Sequence, residues 1–260
     1  MFESAKRLWN YRFMIASLVR REIRGRYKGS VLGFLWNFIT PLMQIFVYIM
    51  VFSIIFRPSI PHYEFYLTAG MVAWIFFSES VSDGSGIIVS NSHMIKKIYF
   101  PRSVLPISSV LAKMVNFFIM MGVAFIIFAV TGFGFDGVAL LALVPTILIY
   151  LVFLIGMALL LSALDVYFRD IQYIVSVILM VLIWMTPIMY VRSDYSDALL
   201  NTVLKLNPMT YFIEMFQSVL YWKVVPSLSS FLICGAIALV SLVVGIIVFR
   251  RLEKNFAEVL

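Results

Sequence analysis

Residues 29–56 read GSVLGFLWNFITPLMQIFVYIMVFSIIF, 28 residues without an acidic or basic side chain. Directly before them, among residues 21–28, stand Arg21, Arg24, Arg26 and Lys28. A helix that crosses a bilayer needs about 20 largely apolar residues. The run is long enough, and the cations beside it sit at the depth of lipid headgroups. The stretch therefore reads as a transmembrane helix anchored at one end by positive charge.

The whole chain follows that lead. Of its 260 residues 63% are hydrophobic and 13% charged, with a mean hydropathy of +1.01. A soluble domain carries about 25% charged residues. So much apolar surface has no place in one aqueous core, which excludes an ordinary soluble domain and makes the bilayer the solvent. The net charge of +7 flanks the apolar runs, as cations facing anionic lipid do, and does not argue for nucleic acid. The single cysteine, Cys234, lies in an apolar run, so no intrachain disulfide forms. No cleavable signal is expected at the N-terminus, because arginines interrupt the stretch where an apolar segment belongs.

Five runs satisfy the length requirement: 29–56, 114–135, 138–164, 171–191 and 224–249. A sixth, FYLTAGMVAWIFFS (65–78), is short alone and becomes a span when extended through ESVSDGSGIIVSNS (79–92), at the cost of placing Glu79 and Asp83 in the membrane. Six spans put both termini on one side, and the cations support that choice. Fifteen of the 20 lysines and arginines then lie on the inner side, and four (Arg57, Arg192, Lys205, Lys223) outside, with Lys113 near the inner end of the third span.

Upstream of the first span, Ala5, Leu8, Trp9, Ala16, Val19 and Ile23 share one helical face, while Lys6, Asn10, Ser17, Arg20 and Arg24 share the other, with Arg12 as a misfit. That pattern predicts a helix lying in the membrane interface. A solvated tail, the blander alternative, leaves Trp9 and Phe13 exposed without purpose. On the outer side, residues 191–223 contain two short apolar segments separated by Asn207 and Pro208, an N-cap followed by proline at the first helical position. Both segments are too short to span, so a re-entrant hairpin before the last span is expected. The fold class is thus an all-α polytopic membrane protein: an interfacial helix, six transmembrane helices and a re-entrant helical hairpin.

Two inner loops exceed the needs of a turn. NSHMIKKIYFPRSVLP (91–106) sets Ile98, Tyr99 and Phe100 as an apolar plug among Lys96, Lys97 and Arg102. Apolar anchors within a polar rim suit a docking surface, although a basic interfacial loop explains the same residues. DVYFRD (165–170) offers Asp165, Arg169 and Asp170 either as a local ion cluster or as contacts for a partner. Of the intramembrane ionisable groups, Lys113 and Glu214 are assigned to interfaces. Glu79 is assigned to a hydrated cavity or a subunit boundary.

Several chemistries are absent. GFGFDG (132–137) matches a dinucleotide-binding pattern but joins two apolar runs, so it is a turn. No phosphate-binding loop occurs, and His62 and His93 fall on opposite sides, which leaves no metal or histidine-based catalytic cluster. No internal repeat is visible, which argues against a secondary transporter. The aromatics Trp36, Trp74, Phe77, Trp184 and Tyr190 can stack on sugar rings, though interfacial belts and packing explain most such residues.

Three stretches, RGRYKGSVLGFLWNFITP (24–41), IKKIYFPRSVLP (95–106) and DVYFRDI (165–171), together resemble the membrane subunits of type-2 ABC transporters that export polysaccharides such as O-antigen, teichoic acid and capsule. The resemblance covers essentially the whole chain and implies one transmembrane domain over residues 1–260: an interfacial helix (1–28), spans one to five (29–190), the outer hairpin (191–223), the sixth span (224–249) and a cytoplasmic tail (250–260). It implies a homodimer bound to two copies of a separate ATPase subunit, which holds the ATP and magnesium; this chain needs no cofactor and is not an enzyme. Lys96, Lys97, Phe100, Pro101 and Arg102, with Asp165, Arg169 and Asp170, would face that ATPase. Arg20, Arg24, Arg26 and Lys28 would receive the pyrophosphate head of an undecaprenyl-linked polysaccharide. Trp36, Trp74, Phe77, Trp184 and Tyr190 would line the sugar path. The location implied is a bacterial cytoplasmic membrane, with both termini inside. A permease for a drug or small lipid is the alternative, and a membrane-embedded glycosyl- or phosphotransferase a remoter one.

Overall fold

A charged side chain is costly in hydrocarbon unless protein surrounds it, and the helix packing in the computed structural model follows that rule. The structure describes residues 9–25, 32–52, 60–192 and 198–260, and among them only helices and turns occur. In chain order they are α1 (Arg12–Gly25), α2 (Trp36–Val51), α3 (Tyr63–Ser90), α4 (Ser92–Lys97), α5 (Val104–Val130) and α6 (Gly137–Tyr167). There follow α7 (Ile171–Leu182), α8 (Ala198–Leu206), α9 (Pro208–Leu220), α10 (Leu228–Leu252) and α11 (Phe256–Val259). The chain is an integral membrane protein by composition and helix length. Among the described residues four helices, α3, α5, α6 and α10, are long and apolar enough to cross a membrane.

The doubtful run at 65–92 forms one unbroken helix of 28 residues, α3, and it is the hub of the bundle. Helices α5, α6, α7 and α9 all pack on it. The tightest crossing is α6 on α10, where a Cβ added at Gly245 would lie 2.3 Å from the Gly156 carbonyl oxygen. Small residues permit such backbone approach, which in lipid substitutes van der Waals contact for a hydrophobic driving force. At the GFGFDG turn, Gly132 and Gly134 take φ of 74° and 70°, and Asp136 Oδ1 accepts from the Ala139 amide at 2.8 Å to start α6. The proposed cap at Asn207 also forms: its side chain accepts from Met209 N at 2.9 Å.

Two expectations change. The run 171–191 does not form one helix: α7 is twelve residues long and ends at Leu182. Pro187 lacks an amide donor, and carbonyls released beyond Leu182 are claimed from elsewhere. Asn207 Nδ2 donates to Met185 O at 3.0 Å, Gln217 Nε2 to Pro187 O at 3.0 Å, Tyr63 to Met189 O at 2.9 Å and Tyr66 to Tyr190 O at 2.8 Å. The third apolar run, expected at 114–135, belongs to a helix that starts ten residues earlier, at Val104, and ends at Val130. Of the run 29–56, residues 29–31 and 53–56 lie outside the described residues; within the rest a 3-10 turn at Gly33–Leu35 leads into α2, 16 residues long. Finally, α1 turns Leu18 into the protein, with Tyr11, Met14 and Ile15 packed around the same small core, and leaves Trp9 and Phe13 exposed. The apolar face read from Trp9, Ala16, Val19 and Ile23, expected to meet lipid, is thus joined by a second apolar side that meets the bundle. The part of that reading on Ala5, Lys6 and Leu8 lies outside the described residues.

Candidate functional site

Two faces carry the chemistry. The basic end of the bundle gathers the α3–α5 connection, the α6–α7 connection and the C-terminal segment. The opposite end gathers α8, α9 and the turn at 131–136; there Tyr221 donates to Pro61 O and Lys223 to Phe133 O.

At the basic end, α4 is a short helix whose last turn holds Lys96 and Lys97, both exposed. The chain then extends through Ile98 and Tyr99, of which Tyr99 is 99% exposed, before Phe100 drops into a core with Ile88, Val104, Phe249 and Phe256. Arg102 turns inward as well. Its Nη1 donates to the Glu253 carbonyl, and its guanidinium lies 5.7 Å from the Phe256 ring centroid. Tyr167 adds a bond to Leu252 O at 3.0 Å, so the C-terminal segment is fastened beneath both loops. Of the residues expected to face a partner, Lys96 and Lys97 do project outward. Phe100 and Arg102 are engaged with this chain's own core and tail, and Pro101 is half-buried beside them.

The second loop divides in the same manner. Arg169 and Asp170 are exposed beside Phe168 and Tyr173. Asp165 is fully buried; its Oδ2 accepts from Gln172 Nε2 at 2.8 Å, which ties α6 to α7. Its other oxygen, Oδ1, is buried and accepts no hydrogen bond among the described residues, so the carboxylate faces this chain's interior.

The cations of α1 separate likewise. Arg20 and Arg24 are exposed, whereas Arg26 and Lys28 lie outside the described residues. Arg21, read above only as one of the anchoring cations, donates to Asn91 Oδ1 at 2.5 Å. Next to it is a cluster that sequence reasoning missed. Lys113, 2% exposed in mid-helix, is paired with Glu22 of α1 at 3.0 Å and with Asp83 of α3. A cavity of ≈ 480 Å³ opens on this cluster, lined by Arg21, Glu22, Asp83, Asn91, Ser108 and Gln172. Lys113, which the sequence places near the inner end of a span, is neutralised inside the subunit by α1 and α3. Glu22 and Lys113 are 91 positions apart, and the only signal was a lysine amid an apolar run.

The aromatics do not form one set. Trp74 and Phe77 are 3% and 4% exposed and touch within the core, ring centroids 5.4 Å apart. They belong to the packing of α3 and are not available to line a path on the subunit's surface. Trp36 and Trp184 are exposed, with Trp184 6.2 Å from Phe52, and Tyr190 is half-buried. Glu79 is half-buried on α3. Among the described residues no group of His, Cys, Asp and Glu has the arrangement of a metal site.

With this geometry in place, comparison with known proteins is direct. Residues 14–221 match the family described as ABC-2 type transporter. The chain is 33% identical over 260 residues to an O-antigen export system permease protein RfbA of Myxococcus xanthus, covering 99% of each chain. It is 29% identical over 248 residues to a Klebsiella pneumoniae protein of the same name, covering 95% of each. It is 22% identical over 246 residues to the polysialic acid transport protein KpsM of Escherichia coli, covering 92% of this chain and 93% of that one.

Proposed function

The chain belongs to the ABC-2 type transporter family, and from that premise we propose that it is the permease subunit of an ATP-driven exporter of lipid-linked polysaccharide. The observation that carries this reading is the end-to-end similarity to proteins named for O-antigen export. The substrate class is an undecaprenyl-pyrophosphate-linked polymer, O-antigen before teichoic acid, taken from the inner face of a bacterial cytoplasmic membrane. Two copies act together, and each meets one ATPase subunit that supplies ATP hydrolysis and its magnesium.

In this reading the whole of 1–260 is one transmembrane domain with both termini inside. Helices α2 and α7 belong to the remaining two spans. Taken alone, their 16 and 12 residues rise about 24 and 18 Å against a hydrocarbon core of about 30 Å. Helices α8 and α9 are the re-entrant hairpin, held against protein as irregular backbone at membrane depth must be. Ile98 and Tyr99 are the anchors for the ATPase, with Lys96, Lys97, Arg169 and Asp170 as the polar rim. Arg102 and Phe100 hold that tip from behind, and Arg20 and Arg24 attract the pyrophosphate head. Trp36, Trp184 and Tyr190 supply stacking faces along the path, and Trp74 and Phe77 do not.

Purification from native membranes tests the assignment. The chain is expected to bring an ATPase at equal stoichiometry, and Tyr99→Ala to lose it while the subunit melts at an unchanged temperature. Arrival of the unmodified chain alone, with no ATPase after gentle extraction, would remove the ABC coupling scheme.

A further inference from the structure

We propose that the outer end of the subunit carries a saccharide-binding site of its own, built between α8, α9, the segment after α7 and the start of α10. The proposal takes its ligand class from the exporter reading above; the site itself is read from geometry.

A cavity of ≈ 590 Å³ lies there, within the range of about 300–1,000 Å³ usual for small-ligand pockets. Its wall is unlike the surrounding apolar surface. Arg192 and Glu214 face each other at 3.7 Å, Asn201 and Gln217 contribute side-chain amides, and Tyr211 and Trp222 contribute aromatic rings. Trp222 is 50% exposed, so much of its indole remains available to a ligand. An apolar lipid tail has no use for two charged groups and two amides. A sugar ring uses all of them: its C–H face lies on an aromatic ring, and its hydroxyls donate to a carboxylate and accept from a guanidinium. At 3.7 Å the ion pair is not a closed bidentate contact, which leaves each partner capacity for a hydroxyl between or beside them.

The cavity's floor is rigid. Gln217 is held by Pro187 O at 3.0 Å, Tyr211 by Lys205 O at 3.0 Å, and Tyr66 by Tyr190 O at 2.8 Å. Rigid, pre-bonded walls lower the ordering cost of binding. The role proposed is binding; Glu214 is the one acidic residue among the described residues of this wall. A subsite on the exit side would hold an emerging segment of polymer and disfavour its return.

The test uses the full chain co-purified with its ATPase and placed in lipid nanodiscs. The probe is oligosaccharide released by mild acid from the host's own surface polysaccharide, free of lipid. Saturable binding is expected, measured by calorimetry, and weakened about tenfold or more in Trp222→Ala and in Glu214→Gln. ATPase co-purification and melting temperature should be unchanged in both variants. Absence of saturable binding, or binding by both variants as tight as by the parent chain, overturns the site. If the site fails while ATPase co-purification and export persist, the exporter assignment stands. Loss of ATPase association in the unmodified chain, with sugar binding retained, removes the exporter assignment and leaves the site.

Discussion

Helix α10 buries only 17% of its most apolar stretch inside the subunit, whereas α3, which carries Glu79 and Asp83, buries 61% of its own. In a water-soluble protein the order would be reversed. Here lipid is the solvent for α10, and its leucines and valines are satisfied by acyl chains. Polar groups are the ones that need protein around them, so the least apolar of the long helices becomes the hub. Hydrophobicity therefore identifies which segments enter the membrane, while polarity within such a segment identifies which of them is central.

The sharpest way to break that contrast is to disturb the charge buried against α3. Lys113→Met takes from Asp83 and Glu22 the ammonium group that both contact. Removing one partner of a buried pair costs about 3–5 kcal/mol, and the lower end applies because Asp83 is 45% exposed. Unfolding titrations in mild detergent should register this loss, and adding Asp83→Asn should restore part of it. Were Lys113→Met as stable as the parent, the cluster would not hold α1 and α3 together.

Next in size is the one place where α10 does depend on protein. Gly245→Ala puts a methyl group against the Gly156 carbonyl, and overpacking of this kind costs about 1–3 kcal/mol. A lowered melting temperature is expected, with cysteine cross-linking between α6 and α10 diminished. Smaller again is Arg102→Ala, which frees the C-terminal segment from Glu253 O and Phe256. Limited proteolysis after Leu252 should quicken severalfold while the melting temperature moves little. The smallest effect belongs to the lipid side of α10. Leu239→Ala, at a position 59% exposed, should change stability by less than about 0.5 kcal/mol. A larger loss there would mean that α10 is covered by protein in the assembly.

Much of the molecule was legible because local sequence reports local solvent. The continuity of α3 through Glu79 and Asp83, the cap at Asn207, the turn at GFGFDG and the outward lysines at 96 and 97 all follow from neighbouring residues. The early end of α7 was also encoded, in Pro187, but counting apolar residues over 171–191 passed across it. The side of α1 that meets the bundle through Leu18 was not read from the sequence, for a related reason. A helix between lipid and protein has two apolar sides, and periodicity does not say which neighbour each one meets.

The sequence by itself determined the solvent, the helical class and the side on which the cations gather, since these depend on the composition of contiguous segments. Only the tertiary structure decided the partners: Lys113 with Glu22 and Asp83, Arg102 with the tail, Asp165 with Gln172, and Arg192 with Glu214. A buried charge must find a counter-charge or hydrogen-bond partner, but that requirement does not specify where along the chain the partner lies. Helix packing supplies it, because side chains far apart in sequence become neighbours only after the helices have met.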